Sequence, residues 1–455
     1  MSEKGVRIQL KGRTEVVQVI SLALQAALEA ADPVQAMRRA IKKRGNVLYV
    51  GRRSFDLDRF GRILVIGAGK ASARMALGLE SITVEDINGG LIISPEGQAN
   101  PRCRKVKFLE APHPIPGKKS VEATRRMLSL VGTPHENDLV ICLFSGGGSS
   151  LMEIPAAGLT LSELRDVTEL LLRSGAGIRQ INAVRKHLSQ VKGGRLAERL
   201  YPATVLTFLV SDVVGDKVDA IASGPTTFDT TTFREARGVL EGRGLWQKTS
   251  ANVRDHINRG ISGMADETPK RGSRIFAKTV LEVVATNSAS CRAAVDALRS
   301  KGYPTRVLST RLDGKAREVG ARFVQRLARD SGGFSRACAL VGGGETTVSV
   351  TGKGRGGRNQ ELALAASIGM AGKAGVWLAA MGTDGIDGMT DAAGAVVNGE
   401  TKEVGTRLGL DAGAYLENND SYGFFEATGG LIFTGQTGAN VNDVIVGLCT
   451  GQQPK

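Results

Sequence analysis

Six short blocks rich in Gly, Ser, Asp, Lys and Arg stand where apolar runs stop, and their residue types suit the handling of polyphosphate. They are Gly67-Ala-Gly-Lys70-Ala-Ser72, Ser145-Gly-Gly-Gly-Ser149-Ser150, Ser211-Asp212-Val-Val-Gly215-Asp216, Gly342-Gly-Gly-Glu345-Thr-Thr347, Gly354-Arg355-Gly-Gly-Arg358-Asn359 and Gly382-Thr-Asp384-Gly-Ile-Asp387. Backbone that closes on an anion needs residues without a Cβ and N–H groups turned to the ligand. Cations, and carboxylates for a metal, complete that chemistry, and the blocks carry both.

The first block has neither the spacer of a P-loop nor the third glycine of a dinucleotide fingerprint, because Ser72 stands there. A tight strand-to-helix turn would account for Gly69 but not for Lys70. An ammonium at a helix N-terminus is disfavoured by the macrodipole unless an anion is bound there too. Ser145, Gly146, Gly147, Gly148, Ser149 and Ser150 read as a cradle for a phosphate or a carboxylate, with a flexible turn as the plainer alternative. No Gly-x-Ser-x-Gly elbow occurs there, and His113, His135, His187 and His256 lack triad spacing, so a serine hydrolase is excluded.

Asp212, Glu345 and Asp384 are the candidate Mg2+ ligands, since that ion takes one or two carboxylates beside substrate phosphates. The competing reading is that Asp is common in turns and caps. Arg355 and Arg358 sit among glycines ahead of a helix expected from Asn359, which suits laying guanidinium groups on phosphate. A solvated basic loop is the alternative.

Positioning these blocks falls to short apolar strands alternating with helices. Strands are expected at 63–66, 91–93, 106–109, 139–144 and 204–210, with helices from 14 to 31, from 33 to 43, from 118, over 161–174 and over 180–199. Residues 1–12 read as a loose basic leader. The polar, aperiodic stretch 260–272 divides a first domain, 1–265, from a second, 273–455. Beyond it, strands are expected at 280–285, 337–341, 376–380 and 444–446, with 346–350 as a hairpin partner of 337–341. Helices are expected near 288–301, 314–329 and 359–370. Such alternation means an α/β fold with a mostly parallel sheet, whose ligands sit beyond the carboxyl ends of the strands. The blocks then share an edge within each sheet, and two facing edges would make one cleft.

A chain of 455 residues is long enough for two or three domains, and its 59 glycines, nearly twice the ordinary share, fit many tight turns. The net charge of +15 attracts anions, nucleic acid among them. With aromatics at 4% and the basic residues dispersed, base-stacking surfaces are missing, so no specific nucleic acid is expected. Five scattered cysteines show no metal or disulfide spacing. No run approaches the ~18 apolar residues of a membrane span. A cytoplasmic protein without membrane contact follows, and a homodimer is compatible with it.

Taken in order, the blocks resemble the class II glycerate kinases, whose C-terminal half carries the MOFRL domain. Further motifs agree in sequence order: Ala111-Pro-His113-Pro-Ile-Pro116, Lys186-His-Leu-Ser-Gln-Val-Lys192-Gly-Gly-Arg195 and Ile221-Ala-Ser-Gly-Pro-Thr226. Met389 and Gln436 depart from an expected proline, and Ala439 from threonine. The resemblance implies ATP- and Mg2+-dependent phosphorylation of D-glycerate, typically on the 2-hydroxyl. It also implies a larger N-terminal α/β/α Rossmann-like domain and a smaller C-terminal α/β domain with the site between them. The essential Lys and Arg of the family map to Lys70 and Arg358, and Asp384 joins them as a catalytic candidate. Gly69, the Ser145–Ser150 loop, Lys192, Arg355 and Asn359 are the expected phosphate- or substrate-binding residues. Whether nucleotide phosphate or glycerate carboxylate occupies that loop stays open, and so does a rival reading as an NAD(P)H-dependent hydroxypyruvate reductase.

Overall fold

The computed structural model describes residues 6–9 and 15–451. They form two compact units: Pro33–Val284, and the described residues up to Asp32 together with those from Ala285 onward. The division thus follows Val284 instead of lying at 266–272. Thr279–Ala285, beyond the polar stretch, still pairs beside Thr204–Val210. The helix Glu15–Ala31 goes with the second unit, where Ile20, Ala23 and Leu24 pack with Cys291, Ala294 and Leu298. Apolar periodicity marks a buried helix face but not which sheet it covers.

The first unit is built on a six-stranded sheet in the order Thr279–Ala285, Thr204–Val210, Asp138–Phe144, Arg62–Ala68, Gly89–Pro95, Val106–Ala111. The five strands from Thr204–Val210 to Val106–Ala111 pair in parallel. Counted along the chain, the order is 6-5-4-1-2-3, a doubly wound sheet. Its central strands are near-continuous Val, Ile and Leu, because helices cover both faces. The strand order reverses between the parallel neighbours Arg62–Ala68 and Asp138–Phe144, where Ala68 lies opposite Phe144. Phe144 in turn lies opposite Leu209. The segments starting at Gly69, Ser145 and Ser211 therefore leave the sheet side by side, at the point where ligands bind in such folds.

Three local expectations are corrected here. The helix from Pro33 stops at Ala40, and Ile41–Arg44 opens a three-stranded antiparallel sheet with Val47–Val50 and Arg53–Asp56. Gly45 and Gly51 turn its corners with φ of 56° and 58°. The helix expected over 180–199 is two, Ile178–His187 and Arg195–Leu200, because Gly193 and Gly194 take φ of 58° and 86° between them. Within the expected leader, Arg7–Gln9 form an edge strand on Leu431–Phe433; residues 1–5 and 10–12, like Thr14, lie outside the described residues.

The second unit carries a seven-stranded mixed sheet in the order Arg7–Gln9, Leu431–Phe433, Gly394–Asn398, Val376–Gly382, Asp443–Thr450, Ala337–Gly344, Thr305–Leu312. Thr346–Val350 is not a strand. The antiparallel partner of Ala337–Gly344 is Asp443–Thr450, and Thr347 makes a single bridge to Lys315. The Thr- and Val-rich composition of 346–350 expressed a local preference that long-range pairing overrode. Gly344 and Gly382 both lie opposite Asp443. An antiparallel strand begins where its neighbours end, so Asp443 enters the edge at which Glu345 and Asp384 leave. Among the described residues, no helix is long and apolar enough to cross a membrane.

Candidate active site

In the first unit the two glycine blocks at the reversal point divide the labour. Around Lys70 every backbone N–H is committed. Gly69 donates to Ile93 O (3.1 Å), Lys70 to Gly146 O (2.9 Å) and Ser72 to Gly69 O (3.2 Å), while Ala71 donates to Ser145 Oγ (2.9 Å). From Gly69 to Ser72 no backbone N–H is left for a ligand, and the Lys70 side chain is what this turn offers. In the neighbouring loop the N–H groups of Gly146, Gly147 and Ser149 are taken up by no backbone carbonyl among the described residues. Gly147 sits at φ 81°, the left-handed turn of an anion-binding nest.

The glycines of that loop are spatially required. A Cβ on Gly69 would fall 2.2 Å from Ser145 Oγ, and one on Gly146 1.8 Å from Asp212 Oδ2. One on Gly147 would meet the His113 ring at 2.9 Å and Lys70 Cγ at 3.4 Å. Lys70, His113 and Asp212 therefore converge on Gly146 and Gly147. Burial, and then the Lys70 ammonium, pull the His113 pKa down to about 4, so the imidazole is neutral at pH 7. In the sequence His113 stands within Ala111-Pro-His113-Pro-Ile-Pro116 and lacks triad spacing. Its position just after Val106–Ala111, a strand of the same sheet, was the usable signal.

The hydroxyls of the three loop serines are engaged with protein partners. Ser145 Oγ clips the Lys70 turn and lies 3.3 Å from Ser72 Oγ. Ser150 donates to Gly147 O (3.0 Å). Ser149 Oγ lies 2.8 Å from Ser223 Oγ, which donates to Asn182 Oδ1 (3.1 Å). Arg185, absent from the sequence reading, donates to Ser149 O (3.0 Å). Lys192 is a correction. It is fully buried, 2.5 Å from Glu153 and 3.1 Å from Met152 O, and burial pushes its pKa down to about 8 against the pull of Glu153. Its ammonium is thus enclosed by protein partners and supports the segment that follows the loop.

In the second unit Arg358 is the hub. Its Nε and Nη2 donate to Asp443 at 2.7 and 3.0 Å as a fork, and Nη1 donates to Glu345 at 2.8 Å. Burial opposes the guanidinium charge, but Asp443 and Glu345 outweigh it and hold the pKa above its ordinary value. Asp443 is nearly inaccessible, whereas the Glu345 side chain is 45% exposed, so one carboxylate fixes Arg358 and the other can exchange. Asn359 Nδ2 donates to Asp443 (3.1 Å) and to Asp387 (3.2 Å). The Asp387 carboxylate also accepts the N–H groups of Asn359 (3.0 Å) and Gln360 (2.8 Å), so the protein itself fills the N-terminus of helix Arg358–Gly369. Asp384 accepts one backbone N–H, from Ile386 at 3.2 Å.

Arg355 does not join Arg358. It lies over the Tyr422 ring at 4.7 Å and 3.6 Å from Glu426. The surrounding glycines allow close packing rather than phosphate access: a Cβ on Gly354 would strike Asp420 and one on Gly356 would strike Ser421, both at 2.2 Å. Among the described residues no three His, Cys, Asp or Glu side chains are grouped to hold an ion, and Glu345 is engaged with Arg358. Asp443 was missed altogether, because its partners across the antiparallel sheet are 61 and 99 positions distant in register with Gly382 and Gly344 and leave no local pattern.

Residues 19–258 match a family described as a domain of unknown function, DUF4147, and residues 338–443 match the MOFRL family. A glycerate 2-kinase from Pyrococcus horikoshii is 39% identical over 94% of this chain and 96% of its own. A relative from Agrobacterium vitis, 38% identical over 94% of this chain and 93% of its own, carries hydroxypyruvate reductase in its name. The crystal structure of a glycerate kinase from Thermotoga maritima matches with a TM-score of 0.85 and 38% identity, covering 96% of this chain and all of that one.

Proposed function

The chain belongs to the class II glycerate kinase family, and on that premise we propose that it transfers the γ-phosphoryl group of ATP to the 2-hydroxyl of D-glycerate. The observation that carries the reading is the open N–H nest of Gly146, Gly147 and Ser149 beside Lys70, at the reversal point of the doubly wound sheet. A phosphate needs such donors and a cation. The hydroxyl oxygen attacks the γ-phosphorus in line, its bond to phosphorus forms as the bridging bond breaks, and ADP leaves. Lys70 and Arg358 neutralise the charge on the migrating group, with Glu345 yielding its hydrogen bond to the phosphoryl oxygens. Asp384, with lone pairs to spare, orients the hydroxyl and takes its proton.

Mg2+ is the expected companion of ATP. The residues fit it in the sparse manner usual for that ion, with the Asp212 carboxylate pressed against Gly146 at the nest and phosphate oxygens and water supplying the rest. When bound, it neutralises charge on the phosphate oxygens.

A hydroxypyruvate reductase would lay its dinucleotide pyrophosphate on the N–H groups of the first strand-to-helix turn. Those groups at Gly69 to Ser72 are all committed inside the protein, which disfavours that reading. ADP release with D-glycerate, coupled through enolase without added mutase, tests the proposal. Enolase-competent product is expected. NADH oxidation with hydroxypyruvate, and no ADP release, would overturn it.

A further inference from the structure

The first unit also holds a cavity of about 390 Å³, within the size range of cofactor sites. Its wall is mostly apolar: Val218 and Leu281 lie there with Phe228 and Phe276, whose rings meet edge to face with centroids 6.3 Å apart. Polar side chains line it too, among them Arg179, Asn182, Lys217 and Asp219. Asp219 is held 3.3 Å from the ammonium of Lys186, itself buried and also 3.2 Å from Asp229. The buried cation fixes the Asp219 carboxylate, whose side chain stays 38% exposed and able to accept further hydrogen bonds.

The cavity is joined to the anion nest by one relay. Asn182 lines the cavity and accepts from Ser223, and Ser223 Oγ is bonded to Ser149 Oγ in the nest. Ala222 and Ser223 are held at φ of 50° and 61°, a conformation L-residues adopt at a cost and one that clusters at ligand sites.

We infer that this cavity takes the purine nucleoside half of the nucleotide. The planar base lies among Val218, Phe228, Phe276 and Leu281, the ribose hydroxyls donate to Asp219, and the phosphates pass the Ser223 relay to the N–H groups of Gly146, Gly147 and Ser149. A three-carbon hydroxy acid is too small for a chamber of this size and would leave the apolar wall of Val218, Phe228, Phe276 and Leu281 uncovered. The inference rests on the kinase reading given above.

Val218→Trp, which fills the chamber, and Phe228→Ala, which removes one wall, test it, with circular dichroism confirming that both fold. The KM for ATP is expected to rise about tenfold or more in each, with kcat and the KM for D-glycerate within about twofold of wild type. Equilibrium dialysis reads the same site without turnover: ADP binding weakens by a similar factor, while inorganic tripolyphosphate binding is unchanged. Unaltered ADP binding in both variants, or a rise in the glycerate KM instead, would overturn the cavity assignment. A wild-type protein that binds ADP but never phosphorylates glycerate would overturn the kinase reading alone.

Discussion

At the scale of the residue, the chemistry depends on side chains whose charge is set by neighbours. His113 is held neutral beside Lys70, with its pKa drawn down to about 4, against about 6.5 in an unfolded chain. The unfolded state therefore takes up the proton first, so the stability associated with a neutral His113 is complete above about pH 6.5 and is lost as pH falls toward 4. His113→Gln should lose less melting temperature than wild type between pH 7 and 4.5, as differential scanning fluorimetry would read. An equal loss would mean that His113 does not govern this limb. Asp443 acts through Arg358, and its fork fixes the guanidinium plane. Asp443→Asn should lower kcat on the order of 10²-fold through misplacement while leaving the KM for glycerate near its original value. A change confined to KM would contradict that positioning role.

At the scale of the element, the helix Arg358–Gly369 presents Arg358 because Asp387 caps it from a separate loop. Asp387→Ala leaves two buried N–H groups without an acceptor and should cost about 2 kcal/mol in urea unfolding, with turnover falling alongside. A variant of unchanged stability and activity would show that the cap is dispensable. Elements that announce themselves locally were legible in the sequence. Ile63–Ile66 and Leu139–Phe144 stop at Gly/Ser/Lys blocks, and those blocks do share one edge of the sheet. What depended on distant pairing was not legible. Ile41–Arg44 continues a helical composition and becomes a strand only through its partners at 47–50. Thr346–Val350 has strand composition and no strand beside it. Asp443 joins the site because an antiparallel strand starts at the edge where two others end, a fact of register rather than of spacing. Lys192 shows the opposite error: a lysine in a glycine-rich motif suggests phosphate, yet Glu153, far away in sequence, had already claimed it.

At the scale of the whole molecule, the chain contributes the helix Glu15–Ala31 to the second unit before the first begins. Lys70 and Arg358 stand in different units, each at the strand edge of its own sheet. Both are proposed to act on one migrating phosphoryl group, and a double-mutant cycle in kcat decides whether they do. Lys70→Met and Arg358→Met should each lower kcat on the order of 10³-fold, as arginine fingers do when removed. Groups that stabilise one transition state together fail together. The double variant, shown folded by circular dichroism, is therefore predicted to lie within about tenfold of the worse single variant. Losses that multiply in full would contradict a shared phosphoryl group.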